Sequence, residues 1–149
     1  MRQRDQVEMT VEGRIVNGIF AAVRVIASEV RRAGAALQLT VPQFSTLGFL
    51  AHGDMSVGEL AKSLRVAMPT VTQSTDSLVA RGLVERYTDD KDRRQVRLRI
   101  TPEGRTVFDE CFKSVEGYLA QVLTPMPSKR KEDLARSLDE LNQGLEIRG

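Results

Sequence analysis

A single cysteine, Cys111, and a single histidine, His52, are all that this chain has of the side chains that most often cross-link or bind metal. One cysteine cannot close an internal disulfide, so the fold has to hold without covalent staples, as a reducing compartment requires. A zinc site of ordinary histidine and cysteine ligands cannot be assembled within one chain. No stretch approaches the roughly 18 uninterrupted apolar residues of a membrane span, and the opening MRQRDQVEMTVEG has no signal-peptide core. The expectation is a cytoplasmic protein without membrane contact. No nucleophile elbow, phosphate loop, pair of catalytic carboxylates or metal motif is present, which argues against an enzyme and for no cofactor. Asp89, Asp90 and Asp92 do not make a calcium loop: no glycine stands at the turn, and Ile100 occupies the position where a bidentate glutamate is needed.

What is present is an ordinary folded composition, 41% hydrophobic and 28% charged, in 149 residues that suit one domain. The net charge of +2 says little, but its distribution says more. Lys plus Arg against Asp plus Glu stands at 7 and 6 in residues 1 to 64, 9 and 6 in residues 65 to 105, and 6 and 8 in residues 106 to 149. A positive balance concentrated in the middle third points to a local basic patch, which matters more for nucleic-acid contact than the whole-chain sum.

Periodicity supplies the elements. Ile15, Ile19, Val23, Ile26, Val30, Ala33 and Leu37 recur every three or four residues and predict a long helix from about Thr10 to Leu37, weakened in its first turns by Gly13 and Gly18. Thr40 and Gln43 form a capping box for a second helix with Phe44, Leu47, Leu50 and Ala51 on one side and Gly53 as its terminating glycine. Ser56 and Glu59 form another box, opening a short helix with Leu60, Ala61 and Leu64 inward. Pro69 starts a fourth helix whose buried stripe is Val71, Thr75, Leu78 and Val79 and which Gly82 closes. Leu83 to Tyr87 and Val96 to Thr101 read as strands, the second with Val96, Leu98 and Ile100 on one face and Arg97 and Arg99 on the other. Thr101 caps a fifth helix carrying Val107, Phe108, Cys111, Phe112, Val115, Tyr118, Leu119 and Val122. Pro125 and Pro127 end it, and Ser128 caps a sixth with Leu134, Leu138, Leu141 and Leu145 in a narrow seam.

The predicted fold is therefore mainly α with a small antiparallel β-hairpin: a winged helix-turn-helix lobe over 40–101, flanked by helices over 10–37 and 102–147. A recognition helix of this kind fills the major groove and reads base edges with its first turns. Here those turns present Met68, Pro69, Thr70, Thr72, Gln73 and Asp76. Gln73 can bond adenine on two atoms, Thr70 can bond bases or phosphate, and Met68 and Pro69 can pack on thymine methyls. In the wing, Arg93 and Arg94 suit a narrow A·T-rich minor groove, with Asp92 bracing the tip by pairing with an arginine.

From Ser56 to Gly104 the chain resembles the DNA-binding lobe of the MarR family of bacterial regulators. The matching features are the passage Leu78 to Arg86 from helix into strand, the wing motif Asp92-Arg93-Arg94, and the step Ile100 to Gly104 into the next helix. The resemblance implies a homodimer held by the first and last two helices, which presents two recognition helices and two wings to duplex DNA at a pseudo-palindromic operator. It also implies release by small anionic aromatic ligands or oxidants, acting at a pocket between the dimerisation helices and the DNA-binding lobe. One departure is Ala67 and Met68 where a serine or threonine often starts the recognition helix.

Several residues have plainer readings. Cys111, on an apolar stripe, reads as a core thiol, and the first helix lacks the cysteine that the peroxide-sensing branch of the family uses there. His52 reads as a helix-end residue. Phe20, Phe44, Phe108, Phe112 and Tyr118 read as core rather than as a ligand pocket. The competing functional class is a winged helix kept as a protein-interaction module.

Overall fold

The computed structural model describes residues 9–88 and 95–147, with side chains as far as Leu145. The chain forms two compact units, Met1–Val115 and Glu116–Gly149.

The helices begin where local side-chain chemistry satisfies orphan amides. Helix α1 (Val11–Leu37) starts at Thr10, whose hydroxyl accepts from the Gly13 N–H at 3.1 Å. Helix α2 (Val41–Leu50) carries the full Thr40–Gln43 capping box, and α3 (Val57–Leu64) the full Ser56–Glu59 box. Helix α4 (Met68–Ala80) follows a three-residue turn. It ends through Arg81 on Gly82, which lies in the left-handed region (φ 72°), where a glycine carries no Cβ penalty. Helix α5 (Pro102–Val122) is capped by Thr101, whose hydroxyl accepts from Gly104 N–H at 3.0 Å. The expected termination of α2 at Gly53 is corrected. Ala51 takes the C-cap in a right-handed conformation, and Gly53 does not adopt positive φ.

The wing is larger than a hairpin. Strands β2 (Val84–Thr88) and β3 (Val96–Ile100) pair antiparallel, with Val84 opposite Ile100 and Thr88 opposite Val96. On the other edge of β3, a two-residue strand β1 (Met55–Ser56) aligns Met55 with Leu98, giving the order β1-β3-β2. The alternation in β3 holds at the centre, where Leu98 is fully buried, and fails at Val96, which is exposed at the tip end.

The core of the first unit is Leu47, Leu50, Leu60, Val71, Leu78, Leu83, Val84 and Leu98, joined by Val30 from α1 and by Cys111 and Val115 from α5. Cys111 is a core thiol as expected, and burial pushes its pKa up. Phe44 and Phe108 stack at 5.1 Å between ring centroids. Phe20 is not core: it is 66% exposed, alongside Val11, Ile15, Val16, Ile19 and Val23 on the N-terminal half of α1. Only the C-terminal half of the predicted α1 stripe, from Ile26 through Val30 and Ala33 to Leu37, packs on the core.

In the second unit the end of α5 leads through Pro125 and Pro127 into α6 (Ser128–Ile147). Ser128 is the first residue of α6 rather than its cap; the Pro127 carbonyl accepts the opening bonds from Arg130 and Lys131. Leu134, Leu138, Leu141 and Leu145 stay exposed along one seam. No helix among the described residues is long and apolar enough to cross a membrane.

Candidate nucleic-acid interface

Helix α4 has two unlike faces. Its inner face, Val71, Thr75 and Leu78, is buried as the periodicity predicts. Behind it α2 makes polar ties: the Gln43 amide donates to Ser77 Oγ at 2.9 Å, and the Thr46 and Ser74 hydroxyls meet at 3.3 Å. Gln43 thus closes its own capping box and grips α4. Thr75, fully buried, donates its hydroxyl to the Thr72 carbonyl (3.0 Å) and accepts from Arg86 on β2 (3.4 Å). With every buried side-chain polar atom among the described residues satisfied, this face gives the helix one seating.

The outer face is open. Met68, Pro69, Thr70, Thr72, Gln73 and Asp76 are all exposed, on one end and side of α4. Among the described residues no hydrogen bond engages the side chains of Thr70 or Gln73, so both keep their donors and acceptors for an incoming partner. Thr72 differs: its hydroxyl donates back to the Met68 carbonyl at 3.0 Å, leaving a methyl and one acceptor outward. Asp76 differs more, because Arg86 forms an ion pair with it and joins it to β2. It braces the helix against β2. Ala67 at the N-cap gives no side-chain bond, as its side chain dictates.

The other half of the predicted interface, Asp92, Arg93 and Arg94, lies in the loop 89–94, outside the described residues. The base of the wing is described. Asp54, just before β1, accepts from the Tyr87 hydroxyl (2.7 Å) and from Arg99 (2.9 Å), while its backbone carbonyl accepts from Arg97. Arg99 lies 4.3 Å from the Tyr87 ring centroid and pairs with Glu85 at 3.5 Å, and Arg97 reaches Glu59 at 3.5 Å. Burial works to raise the Asp54 pKa, but the bonds from Arg99 and Tyr87 and the two guanidinium charges outweigh it and hold the carboxyl below its usual range. Glu59 is held low chiefly by the Ser56 backbone N–H it accepts from in the capping box. This cluster ties all three strands and the start of α3 together, so the wing springs from a braced base.

Sequence reading missed Asp54, the Asp76–Arg86 pair and the bonds that the Arg81 guanidinium donates to the Leu37 and Gln38 carbonyls at the end of α1. One signal was available: Arg97 and Arg99 alternate on a face that needs acidic or aromatic partners, and Glu85 and Tyr87 alternate likewise on the paired strand.

A groove between α2 and α5 of about 250 Å³ is lined by Phe44, Ser45, Gly48, Phe49, His52, Phe108 and Phe112. His52 Nδ1 lies 2.8 Å from the Gly48 carbonyl, which can only accept, so Nδ1 is the donor of this bond. His52 is a helix-end residue, as expected. Phe112, 51% exposed, is groove wall rather than core.

Residues 37–95 match a sequence model of the MarR family. YsmB of Bacillus subtilis, an HTH-type transcriptional regulator, is 31% identical over 131 residues, covering 85% of this chain and 90% of that protein. The transcriptional regulator BldR of Sulfolobus solfataricus superimposes with a TM-score of 0.75 at 28% identity, over 96% of this chain and 99% of BldR. A point mutant of MepR of S. aureus, solved bound to an oligodeoxyribonucleotide, shares the fold at a TM-score of 0.61 and 21% identity, covering 87% of this chain and 97% of MepR. The open α4 face on a braced winged helix and these similarities agree: the chain belongs to the MarR family of winged helix-turn-helix transcriptional regulators.

Proposed function

We propose that the protein represses transcription by binding duplex DNA sequence-specifically, as a homodimer on a pseudo-palindromic operator. The observation that carries this reading is the row Met68, Pro69, Thr70 and Gln73, exposed at the start of a helix whose opposite face is fully bonded and buried. A helix that reads bases needs outward groups free to bond and a seating that does not rotate. Gln73 and Thr70 read base edges, and Met68 and Pro69 pack on thymine methyls. Arg93 and Arg94 supply minor-groove and phosphate attraction from the wing. A MepR mutant that shares this fold was solved bound to an oligodeoxyribonucleotide, which supports DNA as the class of partner.

Two exposed apolar faces support the dimer: Val11 to Val23 on α1 and the leucine seam of α6. Surfaces of this kind seldom stay in water, and a second copy buries both without further partners. The aromatic groove between α2 and α5 suits a small anionic aromatic effector. A cavity of about 150 Å³ takes benzene, so the groove has room for a substituted ring.

The test is selection of bound duplexes from a random-sequence pool, at moderate salt with excess competitor. The expected result is an inverted repeat with half-sites about one helical turn apart, bound by a species of twice the 16.6 kDa chain mass. Gln73→Ala then relaxes preference at one base position per half-site, at about 1 to 3 kcal/mol, whereas Arg94→Ala weakens binding to all duplexes and lowers the salt slope by about 0.9 for each phosphate it no longer neutralises. A pool with no enriched motif, or Gln73 and Arg94 variants that bind like the parent, overturns the reading and turns attention to a protein partner.

A further inference from the structure

Helix α1 ends without a basic residue in its last turn, although its C-terminal carbonyls carry the negative end of a 27-residue helix. The turn that closes it is tight. Leu39 N–H bonds to the Gly34 carbonyl at 2.8 Å, and Gln38 sits in the left-handed region at φ 51°. The carbonyls of Leu37 and Gln38 receive the missing cation from elsewhere: the guanidinium of Arg81 donates to Gln38 O at 2.6 Å and to Leu37 O at 2.7 Å. Arg81 is the C-cap residue of α4, fixed by its own turn, in which Gly82 N–H bonds to Val79 O and Leu83 N–H to Leu78 O, both at 2.9 Å. One side chain therefore joins the rigid ends of two helices whose residues are 43 and 44 apart in sequence.

We propose that Arg81 is a positioning residue for DNA reading: it fixes the angle of the recognition helix α4 against α1, so that the spacing set at α1 is passed to Thr70 and Gln73. This rests on the DNA-reading function proposed above. The fork geometry matters. Two parallel N–H donors aimed at two adjacent carbonyls resist rotation as well as separation, which a single ammonium cannot do. The lever is long. Thr70 lies eleven residues from Arg81, roughly 16 Å along the helix, so a tilt of about 10° at Arg81 moves Thr70 by roughly 3 Å. That exceeds the tolerance of a base-edge hydrogen bond. Breaking one base-edge pairing lowers discrimination roughly 5- to 150-fold. The α2 and β2 ties seat the middle of α4; the Arg81 fork alone refers its end to α1 by side-chain hydrogen bonds among the described residues.

The experiment compares the parent with Arg81→Ala and Arg81→Lys in the full chain, using two readouts. The first is the ratio of affinities for the parent's selected duplex and for a scrambled duplex of equal length. Arg81→Ala is expected to lower this ratio at least tenfold while affinity for the scrambled duplex changes less than threefold, and Arg81→Lys to recover part of it. The second needs no DNA: the spin-label distance distribution between Arg24→Cys on α1 and Thr72→Cys on α4, with labelled chains diluted into unlabelled ones. Cys111 is fully buried and out of reach of the label. Arg81→Ala is expected to broaden that distribution and Arg81→Lys to broaden it less. A parent-like distribution, or a ratio within twofold of the parent, overturns the proposal. Should the parent select no duplex at all, the DNA reading fails by itself, and the distance distribution alone decides whether Arg81 sets the angle. If Arg81→Ala does not fold, Arg81→Lys carries both comparisons, with a threefold loss of ratio as the threshold.

Discussion

Replacing Gly104 by alanine should destabilise this protein, although the same change in an open part of the same helix should stabilise it. Gly104 is the third residue of α5, and a Cβ there would lie 2.0 Å from the Leu83 carbonyl oxygen and 2.9 Å from its carbon. Carbon and carbonyl oxygen ordinarily stay about 3.3 Å apart, so the turn before β2 and the helix would have to separate by more than 1 Å. Leu83 cannot retreat freely: it is buried, and its carbonyl accepts from Thr101 N–H at 3.1 Å. Overpacking of this kind costs about 1 to 3 kcal/mol, and a stretched Thr101 bond adds about 1 more. The gain from replacing glycine in a helix is about 1 kcal/mol. The net expectation is a loss of about 2 kcal/mol, a fall in Tm of roughly 4 to 8 °C for a chain of this size. Gly117, further along α5, is exposed and has nothing within 4 Å of a built Cβ, so Gly117→Ala should raise stability by up to about 1 kcal/mol. Urea unfolding followed by circular dichroism at one fixed protein concentration measures both. A Gly104→Ala midpoint at or above the parent's would refute the close-approach argument.

Acid should loosen the wing base first. Asp54 and Glu59 are held below the usual carboxylate range in the folded chain, so the unfolded chain binds more protons. Their stabilisation is full above the unfolded values and is lost as pH falls through the folded ones, from about pH 5 downward. Asp54→Asn should flatten urea midpoints measured between about pH 6 and 3; an unchanged pH profile would remove Asp54 from the account. Cys111 is fully buried with a raised pKa, so a thiol-specific disulfide reagent at neutral pH should label it only as fast as the protein opens. Rapid labelling of the folded protein would show that the α5 stripe is not sealed.

Much of this architecture can be read from the sequence because its signals are short-range. Capping boxes join residues three apart, so Thr40 with Gln43 and Ser56 with Glu59 announce helix starts by themselves. Gly82 announces a left-handed turn for the same reason. Glycine alone does not decide, however: Gly53 carries the same signal without acting on it, because α2 ends two residues earlier on Ala51. The β1 strand escapes a sequence reading because two residues show no alternation; it exists only because Leu98 passes beside Met55. Asp76 resembles a reading residue from its place on the helix, and only the approach of Arg86 from β2 reassigns it.

The sequence by itself determined the order of the six helices and of β2 and β3, the caps at Thr40, Ser56 and Thr101, the inner and outer faces of α4, and the family resemblance carried by Leu78 to Gly104. These follow from hydrogen bonds within a turn and from the 3.6- and 2-residue periods, which involve no distant partner. Tertiary structure alone decided which apolar stripes are core and which remain open on α1 and α6, since hydrophobic periodicity marks a buried face without saying what buries it. It alone also brought Asp54 to Arg99 and Arg81 to the end of α1, because a long, flexible charged side chain finds its partner only once packing has placed the backbones.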